Sequence, residues 1–151
     1  MRVDLNFLSF AGIAGLATTA SAQAVCPDAS RFGNVAVSPT TLAPGQTFTI
    51  TANLTCAIQL GNTPTFLDYY IDGVSTANIG GPVLLARRTY DNSTSPPIDQ
   101  FTTTLPEWFY IANAAYGVEM QNSFARPGPT GESVITVGGI DGPAITITGL
   151  N

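Results

Sequence analysis

The feature that most constrains the fold is a ten-residue stretch, 47–56, in which apolar and polar residues alternate strictly. Successive side chains of a β-strand point to opposite faces of the sheet, so a period of two separates a buried set from a solvated set. This pattern is typical of a half-buried antiparallel strand. We therefore predict a strand here whose inward face consists of Phe48, Ile50, Ala52, Leu54 and Cys56.

Shorter runs with strand character recur along the chain, separated by segments rich in Gly, Pro, Asn and Ser. Regular turn signals between short strands indicate an all-β sandwich or barrel. We predict an antiparallel β-sandwich of about seven to eight strands and no helix beyond a single turn at 106–110. The further candidate strands are 34–38, 65–72, 82–90, 98–105, 115–124, 133–137 and 144–148.

The first 22 residues have the composition of a secretory signal. Arg2 is followed by an apolar run from Phe7 to Leu16, and Ala20-Ser21-Ala22 fits the small-residue pattern of a signal-peptidase site. The run is shorter than the ~20 apolar residues that a membrane span requires. We expect residues 1–22 to be removed, residues 23–151 to form a single domain, and the protein to be secreted without a membrane anchor.

The chain contains two cysteines, Cys26 and Cys56. An even number of cysteines in a secreted chain is most simply explained by a disulfide. A structural zinc site needs four nitrogen or sulfur ligands, and the chain has no histidine to complete one. We therefore predict a Cys26–Cys56 disulfide and no metal site.

Two tripeptides match the acceptor pattern for N-glycosylation, and they begin at Asn53 and Asn92. The strand pattern directs Asn53 toward solvent, on the face opposite Cys56. Both asparagines are candidate glycosylation sites.

The charged residues exclude several kinds of chemistry. The chain has no histidine or lysine, and five arginines against ten acidic residues give a net charge of −5. Nucleic acid is an unsuitable partner because binding it requires a basic surface. Ser-His-Asp and Cys-His catalysis need histidine, and amine nucleophiles need lysine. We predict a protein that is not an enzyme and that uses no cofactor.

The segment Phe66 to Gly73, FLDYYIDG, carries two carboxylates, on Asp68 and Asp72. On a strand these side chains lie roughly 13 Å apart on one face, farther than the ~5 to 9.5 Å used in glycoside hydrolysis. We expect both aspartates to face water, and we expect the alternate residues of the strand, on its opposite face, to face the core. The predicted core residues are Leu67, Tyr69 and Ile71.

Aromatic residues cluster at Trp108-Phe109-Tyr110. Aromatic side chains combine a large apolar face with a polar edge, which suits contact with sugars, although packing in the core is the alternative use. Binding residues also concentrate in loops. The candidate ligand-binding residues are Trp108, Tyr110 and Tyr70.

The segment VSPTTLAPGQTFTITANLTC, 37–56, is similar to the A-to-B region of immunoglobulin-like and fibronectin-like extracellular modules. The later AAYGVEM, 114–120, resembles strand F of that architecture, and Tyr116 stands at the position of its corner tyrosine. Two positions depart from the family pattern, because Val118 stands where the second cysteine is usual and Tyr69 where strand C usually carries tryptophan.

The chain as a whole resembles small secreted proteins of basidiomycete fungi, through CPDASRFGNVAVSP, FLDYYIDG and FTTTLPEWFYIANAAYGV. The resemblance implies an immunoglobulin-like fold and no particular activity. We expect a binding or surface module whose partner is cell-wall carbohydrate or a host or cell-surface protein. The alternatives are a glycoside hydrolase that uses Asp68, Asp72 or Glu107, and a structural protein that self-associates through exposed edge strands.

Overall fold

The computed structural model describes residues 25–73 and 81–150, which form mainly β-strands. The predicted signal sequence, residues 1–22, lies outside the described residues. A 3-10 turn, Asp28–Ser30, precedes the first strand. The strands are β1 (Asn34–Ser38), β2 (Thr41–Leu42), β3 (Thr47–Asn53), β4 (Phe66–Gly73), β5 (Val83–Thr89), β6 (Ile98–Thr104), β7 (Tyr116–Pro127) and β8 (Ser133–Ile147), and one short helix, α1 (Thr55–Gln59), follows β3.

The strands form two sheets. The order is β1-β3-β6 in the three-stranded sheet and β2-β8-β7-β4-β5 in the five-stranded sheet. Neighbouring strands pair antiparallel, except that β2 runs parallel to β8. The predicted all-β class is confirmed, as is the predicted Cys26–Cys56 disulfide.

The core consists of apolar side chains from both sheets. Phe48, Ile50 and Ala52 contribute from β3, as their alternation predicts. Leu67, Tyr69 and Ile71 are at most 1% exposed, which confirms the predicted inward face of β4. The ring of Tyr69 packs against that of Phe101 on β6, with centroids 4.9 Å apart, so the two sheets meet at this point.

The prediction that the third strand continues to residue 56 is wrong, and so is the prediction of no helix. The strand ends at Asn53, whose side-chain oxygen accepts a hydrogen bond of 3.0 Å from the backbone N–H of Thr55. An asparagine that binds the backbone two residues ahead favours a turn. Helix α1 begins there and carries Cys56, which is half-buried and bonded to Cys26.

The prediction that the glycines of the segment 138–143 separate two strands, 133–137 and 144–148, is wrong. Instead, β8 is continuous through them. A Cβ on Gly138 would lie 2.3 Å from the ring of Phe32, and one on Gly142 would lie 2.2 Å from the carbonyl oxygen of Val118, beside a β-bulge in β7. These glycines allow close approach within the sheet rather than forming a turn.

Candidate functional site

The loop between β6 and β7, residues 105–115, carries the most exposed aromatic pair of the described residues. Leu105 anchors its first end in the core, and its backbone exchanges two hydrogen bonds of 2.9 Å with Gly45 and Gln46. At the other end, the hydroxyl of Tyr116 accepts a hydrogen bond of 2.7 Å from the backbone N–H of Ile111. The loop is therefore tied to the body of the domain on both sides.

Trp108 and Phe109 project from this loop. Trp108 is 49% exposed and Phe109 is 86% exposed, and their rings meet edge to face with centroids 5.6 Å apart. A hydrogen bond of 2.9 Å from the N–H of Tyr110 to the carbonyl of Trp108 closes a tight turn across Phe109. The pair forms an apolar surface with fixed geometry in a position where a soluble protein would normally place polar side chains.

Tyr110, a predicted ligand contact, has a different place. Its ring packs perpendicular to that of Tyr116, with centroids 5.5 Å apart, and its hydroxyl is buried without a hydrogen-bond partner among the described residues. Burial, together with the neighbouring Tyr116, raises the pKa of Tyr110 to about 12. Tyr110 therefore packs against Tyr116 and is not part of the exposed pair.

Tyr70, the third predicted contact, lies away from this loop on the outer face of the five-stranded sheet. It is half-buried in the middle of β4 and pairs across the strands with Glu119 on β7. Partial burial and the neighbouring Asp68 carboxylate raise the pKa of its hydroxyl. The structure thus separates Tyr70 from Trp108, and Phe109 takes its place as the aromatic partner.

The expectation that Asp68 faces water is wrong. Although Asp68 points away from the core, it is only 5% exposed, because Arg87 lies directly opposite it on β5 and covers it. The guanidinium of Arg87 donates two hydrogen bonds of 2.7 Å to its two carboxylate oxygens. Strand alternation gives the direction of a side chain, but it does not show what a long neighbour on the next strand will cover.

A second group of carboxylates, which lie far apart in the sequence, lines an open cleft of about 260 Å³. Its acidic members are Asp72, Glu119 and Asp141, from β4, β7 and β8. A β-bulge between Gly117 and Glu119 lies in the wall of this cleft, and Glu119 pairs with Asp141 across the strands. Alternation along β7 places Glu119 on the outer face, but only the pairing of three strands brings it near Asp141. Within the described ranges, no cluster of three or more acidic or cysteine side chains is arranged to hold a metal ion.

The two candidate glycosylation sites are both accessible. Asn53 is exposed at the end of β3, and Asn92 is exposed in the loop between β5 and β6. In residues 25–73 and 81–150, no helix is long and apolar enough to cross a membrane. No family model, curated protein or solved structure matches this chain.

Proposed function

We propose that this protein is a secreted, non-enzymatic, immunoglobulin-like β-sandwich that binds carbohydrate at a cell wall or cell surface through Trp108 and Phe109. The observation that carries the proposal is the exposure of these two rings on a loop that is anchored at both ends. Full burial of a phenylalanine side chain contributes about 1.5–3 kcal/mol, so a free apolar pair of this kind represents binding energy that is not used in folding.

Carbohydrate is the favoured ligand because the C–H face of a sugar ring stacks on an aromatic face without requiring a charged partner. An aromatic side chain provides this apolar face and loses little conformational freedom on binding. The loop also carries Glu107, which is exposed next to Trp108 and is able to accept hydrogen bonds from sugar hydroxyls. A host or cell-surface protein is the competing class of partner.

The strand order supports the immunoglobulin-like assignment. In those domains strands A, B and E share one sheet, and strands C, F and G share the other. Here the corresponding sets are β1, β3 and β6 in one sheet and β4, β7 and β8 in the other. The hydrogen bond from the Ile111 N–H to the Tyr116 hydroxyl, at the start of β7, has the form of a tyrosine corner.

Secretion is supported by the disulfide and by the exposure of both acceptor asparagines. We propose that Asn53 and Asn92 carry glycans. Enzymatic removal of N-glycans from the secreted protein should lower its mass by two glycan units. The Asn53→Gln and Asn92→Gln variants should each remove one of them.

Retention on a panel of insoluble polysaccharides tests the binding proposal. We expect the mature protein to be retained on at least one of them, and we expect Trp108→Ala and Phe109→Ala each to reduce retention by at least fivefold. The matched control is Val134→Ala with Ile135→Ala, because these exposed side chains of β8 provide comparable apolar surface elsewhere. Equal loss in the control, or no retention on any polysaccharide, would refute carbohydrate binding by this loop.

One observation favours the glycoside hydrolase as a second candidate. The cleft lined by Asp72, Glu119 and Asp141 holds more than one carboxylate, and it includes one of the predicted catalytic residues, Asp72; a second, Asp68, is neutralised by Arg87. Release of reducing ends from a retained polysaccharide, abolished by Asp141→Asn, would support the hydrolase over the binding module. Self-association through edge strands predicts instead an apparent mass in light scattering that increases with protein concentration.

A further inference from the structure

A second cleft lies on a different part of the surface and shares no residue with the Trp108 loop. It is open to solvent and has a volume of about 320 Å³. The segment after the first turn of the described chain forms one wall, and β7 and β8 form the other. We refer to it as the arginine cleft, and its lining residues are Arg31, Phe32, Phe124, Arg126, Thr136 and Val137.

Each arginine of the cleft lies over a phenylalanine ring. The guanidinium carbon of Arg31 is 4.9 Å from the ring centroid of Phe32, and that of Arg126 is 5.2 Å from that of Phe124. The two rings are themselves 5.8 Å apart, with 34° between their planes. A guanidinium that stacks on a ring keeps its N–H groups free at its edge. The arrangement therefore combines an aromatic floor with cationic hydrogen-bond donors.

A buried asparagine holds the two arginines in position. Asn62 is only 1% exposed, and its side-chain N–H donates a hydrogen bond of 2.7 Å to the backbone carbonyl of Arg31. Its side-chain oxygen accepts a hydrogen bond from the guanidinium of Arg126. Its backbone carbonyl in turn accepts a hydrogen bond of 3.0 Å from the buried side chain of Asn122. The two exposed arginines are thus tied, through partly buried hydrogen bonds, to an asparagine that is itself buried.

The positive charge of the arginine cleft is weakly compensated. Arg87 and Arg88 form ion pairs with Asp68 and Asp99, whose side chains are mostly buried. Arg126 instead bonds the neutral amide of Asn62. Arg31 pairs with Asp28, but the Asp28 side chain is 83% exposed, so water or another anion is free to replace it.

We propose that the arginine cleft binds a uronic acid unit of an acidic oligosaccharide. The sugar carboxylate would accept hydrogen bonds from the guanidiniums of Arg31 and Arg126, displacing Asp28. The C–H face of the sugar would lie against the half-buried ring of Phe32, which the buried ring of Phe124 supports from below. The volume is at the lower end for small-molecule sites, which suits a single sugar unit. This proposal does not depend on the Trp108 loop.

Titration of the mature protein with digalacturonate tests this assignment. Calorimetry measures the affinity, and NMR of the backbone amides and arginine Nε–H groups locates the site. We expect the largest NMR shifts at Arg31, Phe32 and Arg126, and we expect affinity to fall as ionic strength rises. The neutral digalactose should bind at least tenfold more weakly. If inorganic phosphate binds as tightly as digalacturonate, the cleft holds an adventitious ion only, and the proposal is overturned.

Three substitutions that change charge distinguish a specific site from an effect of the overall charge of the protein. Arg126→Gln should weaken digalacturonate binding by at least tenfold, whereas Thr104→Glu, which makes the same change in net charge on the three-stranded sheet, should leave it unchanged. Asp28→Asn removes the competing carboxylate, so it should tighten binding severalfold. Unchanged affinity in both Arg126→Gln and Asp28→Asn would refute the assignment.

The aromatic floor is tested without changing any charge. A Cβ at position 138 would lie 2.3 Å from the Phe32 ring, so Gly138→Ala should displace that ring and weaken binding. Trp108→Ala with Phe109→Ala should leave digalacturonate affinity unchanged. If this double variant abolishes binding to both the insoluble polysaccharide and digalacturonate, the arginine cleft is not a separate site. If it abolishes only retention on the polysaccharide, the arginine cleft is an independent site.

Discussion

The hydroxyl of Tyr69, in the five-stranded sheet, donates a hydrogen bond of 2.9 Å to a carboxylate oxygen of Asp99, in the three-stranded sheet. Arg88 donates to both oxygens of the same carboxylate, at 3.0 and 2.7 Å, and its guanidinium lies over the Phe101 ring. Because β5 and β6 are edge strands of their sheets, this cluster closes one open side of the core.

Tyr69→Phe should therefore destabilise the fold. Hydrogen bonds to charged groups contribute about 1.5–3 kcal/mol, and we expect a loss in this range by urea denaturation. The matched control is Tyr90→Phe, because the Tyr90 hydroxyl is buried without a partner among the described residues. Removing that hydroxyl should cost nothing or stabilise the fold. Equal effects of the two substitutions would show that the Asp99 contact contributes no net stability.

The pair of Arg87 and Asp68 gives a second stability prediction. Asp68 is mostly buried beneath Arg87, so Arg87→Gln should lower the melting temperature by leaving a carboxylate without its partner. Adding Asp68→Asn to that variant should restore most of the loss, because the remaining neutral amide is less costly to bury. A double variant that melts below Arg87→Gln alone would contradict this explanation.

The Tyr116 hydroxyl is expected to control the shape of the Trp108 loop. Tyr116→Phe removes the acceptor for the Ile111 N–H and should cost about 1 kcal/mol of stability. It should also speed hydrogen exchange at that amide and weaken polysaccharide retention, although Tyr116 is itself buried. Tyr110→Phe leaves this hydrogen bond intact, so unchanged exchange at Ile111 in that variant is the control.

The disulfide should contribute more than any of these single contacts. It closes a sequence separation of 30 residues and ties the N-terminal segment to α1. By loop entropy alone its removal should cost roughly 3.5 kcal/mol. We expect this difference in the free energy of unfolding between the native chain and the Cys26→Ser, Cys56→Ser double variant. A loss below about 1 kcal/mol would mean that the unfolded chain is already constrained near these residues.

Much of the fold is predictable from local pattern, because alternation reports which face of a strand is buried. The outlines of β1, β3, β4, β5 and β6 and the buried positions of β4 follow from it. The same pattern does not distinguish a glycine at a turn from a glycine at a close contact, so the continuity of β8 was missed. Alternation also does not predict α1, whose start depends on the side chain of Asn53.

The candidate site was predictable only in part. The aromatic cluster in the loop made Trp108 a candidate ligand contact, with packing in the core as the alternative, and the structure leaves it 49% exposed. Which of its neighbours is exposed and which is packed, Phe109 or Tyr110, depends on the contact of Tyr110 with Tyr116. The arginine cleft has no signal in the sequence at all. Arg31 and Arg126 are far apart in the chain, and they come together through tertiary contacts, namely the hydrogen bonds of Asn62 and the packing of Phe32 against Phe124.

Alkaline pH provides a final test, because two buried tyrosines resist ionisation in the fold. Burial raises the pKa of Tyr110 to about 12, and burial and the Asp99 carboxylate raise that of Tyr69. Below the ordinary tyrosine pKa of about 10, both hydroxyls are protonated in the folded and in the unfolded chain, so they cause no change of stability with pH. Above it, the unfolded chain releases protons that the folded chain retains, so stability should fall from pH 10 through pH 12.

Urea denaturation at intervals across this pH range measures that loss directly, and the ultraviolet absorbance of tyrosinate reports ionisation. Tyr110→Phe removes one of the two groups and should reduce the slope, with little cost at neutral pH because the hydroxyl has no partner among the described residues. Tyr69→Phe should reduce it as well, from a lower starting stability. A slope that is the same in the native chain and in both variants would mean that other groups cause the alkaline loss.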